Sequence, residues 1–143
     1  MFLGEFEHSI DDKGRVAIPA RFREELSEGL VLTRGFDRCL QAFPRPIWQR
    51  LAERVSGLSL GNEEARNLRR LLFAGAAEVE VDRQGRILIP QNLREYAGLS
   101  EQVVIAGLNT HFELWSGERW HSVLDALDNS APAIAAQLAE LGI

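Results

Sequence analysis

The chain has 143 residues, 45% hydrophobic and 26% charged, proportions of a soluble globular protein with room for one ordinary domain or two small interlocked units. No apolar run approaches the roughly 20 residues needed to span a bilayer, the start M-F-L-G-E-F-E lacks the basic stretch of a signal peptide, and the single cysteine, Cys39, excludes an intrachain disulfide. The net charge of −5 argues weakly against nucleic acid, so the distribution of charge matters more than its sum. These features predict a cytoplasmic protein with no membrane partner.

In chain order, Phe2 to Ile10 alternates in part and predicts a strand. Asp11-Asp12-Lys13-Gly14 predicts a turn, because Asp opens turns and Gly supplies a positive φ. Arg15 to Ile18 predicts a short strand closed by Pro19, and Ala20 to Leu26 a short helix. Leu30 to Thr33 and Cys39 to Phe43 predict two more strands, followed by a helix from Pro44-Arg45-Pro46 to about Val55. After a break at Gly57 to Gly61, Asn62 caps a helix that runs to about Phe73, and Gly75 ends it. Strands at 77–81 and 86–89, a turn at 82–85, a short helix at 91–97 and strands at 102–106 and 111–115 follow. Ser116 caps a final helix, and an Ala-rich tail at 131–141 predicts a frayed terminal helix.

The second half of that list repeats the first. At an offset of 71, Asp11, Gly14, Arg15, Ile18, Pro19, Arg23 and Glu24 recur as Asp82, Gly85, Arg86, Ile89, Pro90, Arg94 and Glu95. With one extra residue in the second copy, Gly35, Phe43 and Trp48 fall opposite Gly107, Trp115 and Trp120. Each copy reads β-turn-β-helix-β-β-helix. Its strands are too short to bury a core alone, which predicts two copies intertwined by their hairpins in one barrel-like sheet with pseudo-two-fold symmetry. The expected organisation is repeat 1 at 5–47, connecting helices at 48–75, repeat 2 at 76–119 and a helical tail at 120–143.

The D-x-x-x-R signature at Asp11–Arg15 and Asp82–Arg86, each running into G-R-[VI]-x-I-P, resembles the MraZ family of the AbrB-like swapped-hairpin proteins. The stretches R-L-L-F-A-G-A-A-E and G-L-N-T-H-F-E-L-W are similar to family segments, and the resemblance covers Met1 to about Leu127. It implies an α+β fold with a mainly β core: a tandem AbrB-like swapped-hairpin barrel with flanking helices. It also implies a bacterial transcriptional regulator that binds short direct repeats in the promoter of its own division and cell wall gene cluster. The implied assembly is a ring of about eight to twelve subunits, associated with the nucleoid. The implied functional residues are Asp11, Arg15, Asp82 and Arg86. The second turn departs from the first, with Arg83 for Asp12 and Gln84 for Lys13, so the two turns are expected to contribute unequally.

The residues point the same way. Segment 13–23 carries Lys13, Arg15, Arg21 and Arg23 without an acid, and segment 83–94 carries Arg83, Arg86 and Arg94 without one. An Asp–Arg pair across a tight turn can be bidentate and orient the guanidinium. Asp11, Gly14, Asp82 and Gly85 are therefore expected to shape and brace the hairpins. Lys13, Arg15, Arg21, Arg83 and Arg86 are the candidate contacts to phosphates or guanine edges of double-stranded DNA. Arg23 and Arg94 read as surface charge balanced by Glu24, Glu25 or Glu95. Arg66, Arg69 and Arg70 read as a solvated face or subunit contact, with Glu63 available to Arg66. Trp48, Trp115 and Trp120 fall on apolar stripes and predict packing rather than base stacking.

No enzyme is expected. His8, His111 and His121 lack metal-ligand spacing with Cys39 or each other, and no P-loop, G-x-S-x-G or G-x-G-x-x-G is present. The Asp11-Asp12 pair is not repeated, and Cys39 reads as buried packing. No cofactor, metal or small-molecule substrate is implied. The rival to DNA binding is an antitoxin-like or scaffold module for a protein partner, which an acidic disordered tail would favour; the last dozen residues are instead rich in Ala and Leu.

Overall fold

Alternation in short strands decides which side chains become core. In the R-V-A-I run only Val16 and Ile18 are buried, and in R-I-L-I only Ile87 and Ile89. Burying each contributes about 1.5–3 kcal/mol. The computed structural model describes residues 1–143. Its strands are β1 (Glu5–Ser9), β2 (Arg15–Ala17), β3 (Leu30–Arg34), β4 (Leu40–Pro44), β5 (Ala77–Val79), β6 (Arg86–Leu88), β7 (Gln102–Gly107) and β8 (Phe112–Ser116). The helices are α1 (Ala20–Arg23), α2 (Arg45–Ser56), α3 (Glu63–Arg69), α4 (Gln91–Ala97), α5 (Gly117–Asn129) and α6 (Ala131–Glu140). A 3-10 turn at Glu24–Leu26 extends α1, and a π turn at Arg70–Ala74 extends α3.

The β-turn-β-helix-β-β-helix order holds in both halves. Pro19, Pro44 and Pro90 lie at the starts of α1, α2 and α4 with φ of −52°, −54° and −55°, which suits a residue that has no N–H to give to a strand. The expected caps are in place: Asn62 Oδ1 accepts from Ala65 N at 3.2 Å, and Ser116 Oγ from Arg119 N at 3.1 Å. The Ala-rich tail forms α6.

Six strands form one antiparallel sheet in the order β1-β7-β8-β4-β3-β5, and β2 and β6 form a separate antiparallel ribbon. The first strand of each half pairs in the other half: β1 with β7, and β5 with β3. Exchanging the halves reverses the sheet order onto itself, so the pseudo-two-fold axis passes between β4 and β8 and between β2 and β6. The α+β architecture is as expected, but the sheet does not close into a barrel. Strands β1 and β5 end the six-stranded sheet, and the only β-bridge between ribbon and sheet is the isolated one between Ile10, just after β1, and Val16 of β2.

The main core lies between the inner face of the sheet and a lid of ribbon and short helices. Leu30, Leu32, Leu40, Val103, Ile105, Phe112 and Leu114 face Val16, Ile18, Phe22, Ile87, Ile89 and Leu93. Phe2 and Phe22 meet edge to face at 5.0 Å. On the outer face, Trp115 meets Trp120 of α5 at 5.8 Å, and Trp48 packs between Phe43 and Phe73 at 5.9 and 5.8 Å. All three tryptophans therefore pack within the chain. Helix α6 buries none of its residues, and Ile134, Leu138 and Leu141 are exposed.

Candidate nucleic-acid interface

The ribbon brings the two signature motifs together. Its register pairs Arg15 with Leu88, Val16 with Ile87 and Ala17 with Arg86. Val16 and Ile87 point into the core, so Arg15, Ala17, Arg86 and Leu88 share the outward face. Turn 11–14 lies at one end of this face and turn 82–85 at the other, because the strands are antiparallel. Arg15 and Arg86 are diagonal neighbours, a relation that places residues about 7–8 Å apart.

Each turn is built by its aspartate. Asp11 Oδ1 accepts from Lys13 N at 3.0 Å and Arg15 N at 2.8 Å, while Oδ2 accepts from Arg15 Nε at 2.9 Å. Asp82 repeats this with Gln84 N at 2.8 Å, Arg86 N at 2.9 Å and Arg86 Nε at 3.3 Å. The expected fork-to-fork pair is absent, because the carboxylate spends one oxygen on backbone amides. The guanidinium is gripped by Nε alone, and both terminal nitrogens are left without a partner in the chain. The backbone amide of Arg15, with its guanidinium and the Lys13 amide, holds the Asp11 carboxyl below the usual carboxylate range. The Arg86 amide, then the Gln84 amide and the Arg86 guanidinium, does the same for Asp82.

Gly14 and Gly85 adopt φ of +87° and +77°, and each is covered by an arginine of the other half. A Cβ on Gly14 would lie 2.7 Å from the guanidinium carbon of Arg94, and one on Gly85 would lie closer still to that of Arg23. The turns are tied across the halves by reciprocal bonds, Ile18 N to Gly85 O and Ile89 N to Gly14 O, both 2.8 Å. Arg23 Nε donates to Ile18 O at 2.8 Å, whereas Arg94 Nε is buried without a partner. Arg23 is exposed and Arg94 half-buried, so what is corrected is the expected balance by nearby acids. Neither forms an ion pair, and Glu95 accepts from Gln91 instead. Their matching positions in the two copies were the signal that both serve the turns.

Lys13 and Arg83 project from the turn tips, exposed and outside the four ion pairs of the chain. Arg21 lies apart, on α1, with its guanidinium 5.8 Å from the Phe6 ring. The ribbon, its turns and the two covering arginines hold six basic side chains against the acids Asp11, Asp12 and Asp82, a locally positive face on a chain of net −5.

Other candidate groups are occupied elsewhere. Arg66 Nη1 donates to Leu60 O at 2.8 Å and Arg69 Nη2 to Ser56 O at 3.2 Å, so they fasten the 56–61 loop rather than pair with Glu63. Arg70 Nη1 donates to Asn67 Oδ1 at 2.8 Å. The Cys39 thiol is buried and donates to Glu113 at 3.6 Å; burial and that carboxylate push it up to about 12, so it stays protonated and a poor nucleophile. His111 stacks on Phe43 at 4.6 Å, and burial lowers its pKa. No three His, Cys, Asp or Glu side chains gather in a metal-binding group, and no helix is long and apolar enough to cross a membrane.

The model of the MraZ protein family, whose description also likens it to antitoxins, matches the chain twice, over residues 1–71 and 72–141. A protein of Roseiflexus castenholzii, named transcriptional regulator MraZ, is 66% identical over 141 residues, covering 99% of each chain. Proteins of the same name from Herpetosiphon aurantiacus and Acetivibrio thermocellus are 53% and 50% identical over 143 residues, covering all of each chain.

Proposed function

This chain belongs to the MraZ family, and on that premise we propose that it is a transcriptional regulator that reads double-stranded DNA through its β2–β6 ribbon. The observation that carries this reading is the pair of guanidiniums. Arg15 and Arg86 stand on one face, gripped at Nε by Asp11 and Asp82, with their terminal nitrogens free. That edge can donate to guanine O6 and N7 or to phosphate. A two-stranded ribbon fits a major groove. A diagonal spacing of about 7–8 Å matches about two base-pair steps at 3.4 Å each. Lys13 and Arg83 at the turn tips suit the flanking phosphates, and Arg21 gives more distant positive charge.

The operator in this reading is a set of short direct repeats in the promoter of the chain's own division and cell wall gene cluster, bound in the cytoplasm at the nucleoid. One subunit offers few free cations, and its net −5 opposes tight binding. A ring of copies repairs this, since later contacts gain from effective concentration. The exposed apolar side chains of α5 and α6, including Leu127, Ile134 and Leu138, are available for contacts between copies.

The test is a fluorescence-anisotropy titration of the intact oligomer onto duplex DNA from upstream of its gene, at two salt concentrations. Arg15→Ala and Arg86→Ala are each expected to weaken binding by about tenfold or more, with wild type showing a steep salt slope. If wild type fails to bind, or if both folded variants bind like wild type, the reading is wrong and a protein partner becomes the better search.

A further inference from the structure

The outward face of the ribbon carries one large apolar side chain that packing does not explain. Leu88 is 55% exposed, while Ile87 and Ile89 on either side of it are 1% and 0% exposed. It stands directly opposite Arg15. The ladder bonds at Ile18–Gly85 and Ile89–Gly14 make Arg15–Leu88 a non-hydrogen-bonded pair, the kind in which side chains lie closest, with Cα atoms about 4.5 Å apart. The isobutyl group thus stands beside the stem of Arg15 on the solvent side. The two-fold counterpart of Leu88 is Ala17, opposite Arg86, so the fold does not require bulk at this position. An exposed leucine alone is ordinary. One set between two arginines whose free edges point outward is in position to meet whatever they meet.

We propose that Leu88 is a specificity-determining residue that packs on the 5-methyl group of a thymine in the major groove, next to the base contacted by Arg15. The inference rests on the DNA-binding reading above. The thymine methyl is an apolar group on a base edge in that groove, and small or branched apolar side chains read it. The positive charge around Leu88 selects a polyanion over an apolar protein surface as the occupant. Ala17 beside Arg86 ends at Cβ and reaches less far from the ribbon than Leu88, so at this depth in the groove it does not meet the same methyl. The two ends of the ribbon then read unequal half-sites, which gives the pseudo-symmetric subunit a polarity on DNA, as a direct repeat requires.

The experiment compares upstream duplex DNA with the same duplex carrying deoxyuridine for every thymidine, which removes only the methyl groups. Wild type is expected to lose about fourfold in affinity per contact, compounded over the subunits engaged. Leu88→Ala is expected to bind the thymine duplex more weakly and to lose the methyl dependence, while Leu88→Met keeps it. Circular dichroism and elution volume verify that the variants remain folded and assembled. If wild type binds both duplexes equally, the proposal fails and the DNA-binding reading stands. If Leu88→Ala retains the full methyl dependence, the methyl is read elsewhere and the proposal also fails. If wild type binds neither duplex, the DNA-binding reading falls and this inference falls with it.

Discussion

Turn 11–14 and turn 82–85 have the same backbone frame. In both, the aspartate amide donates to the arginine carbonyl, at 3.0 and 2.8 Å, and the glycine amide donates to the aspartate carbonyl at 3.0 Å. They differ in what leaves that frame: Asp12 and Lys13 in one, Arg83 and Gln84 in the other. They differ also in what lies beneath, since Arg23 is hydrogen-bonded to Ile18 O while Arg94 Nε is buried without a partner. The comparison separates two constraints on a duplicated unit. Contacts that close the hairpin are the same in both copies, whereas the turn-tip side chains, on which no internal partner depends, differ.

Three measurements break or sharpen that comparison. The largest effect is expected from alanine at the turn glycines. Either substitution forces a non-glycine residue to positive φ, which costs about 1–2 kcal/mol. At Gly85 the new Cβ also displaces the guanidinium of Arg23 and its bond to Ile18 O, adding about 1 kcal/mol. Urea unfolding should therefore show Gly85→Ala losing about 2–3 kcal/mol and Gly14→Ala about 1–2 kcal/mol. The difference should vanish in an Arg23→Ala background; equal losses in the wild-type background would show that the two turns are not supported differently.

The second effect is on DNA. If Lys13 and Arg83 meet phosphates as proposed, Lys13→Ala and Arg83→Ala should each reduce the log–log salt slope by about one with little change in sequence preference. A slope that changes for only one of them would show which end of the ribbon lies nearer the backbone.

The smallest effect is with acid. Asp11 and Asp82 have folded pKa values below the usual carboxylate range, so their contribution to stability is complete above the unfolded pKa. It is lost as pH falls through the folded values. Amide resonances of Arg15 and Arg86 should follow these titrations below about pH 4, and Asp11→Asn or Asp82→Asn should remove the corresponding transition. Persistence of both transitions in the asparagine variants would assign them to other carboxylates.

Much of this was legible in the sequence because it depends on neighbours. The Asp-x-x-Gly-Arg turns, the proline-started helices and the Asn62 and Ser116 caps are set within a few residues, and the 71-residue offset predicted the symmetry. What stayed hidden depends on distant partners. Nothing near Arg94 says that its guanidinium covers Gly14, and no local pattern says that β1 pairs with β7. The open sheet was missed because its ends, β1 and β5, are set by which distant strands pair, and those segments meet only in the folded chain. The loop carbonyls that Arg66 and Arg69 hold stayed hidden for a simpler reason: carbonyls of an irregular loop leave no charge pattern to find.

The strand exchange between halves has a consequence for synthesis. The partner of residues 5–9 is residues 102–107, so β1 leaves the ribosome long before anything exists for it to pair with. At about 5–20 residues per second the wait is roughly 5–20 s, and the nascent first half carries a strand edge throughout. Pairing at such separation is also the slow kind. The duplicated chain gains a partner always present at the same end of the same molecule, at the cost of an interval in which its first half is half of something else.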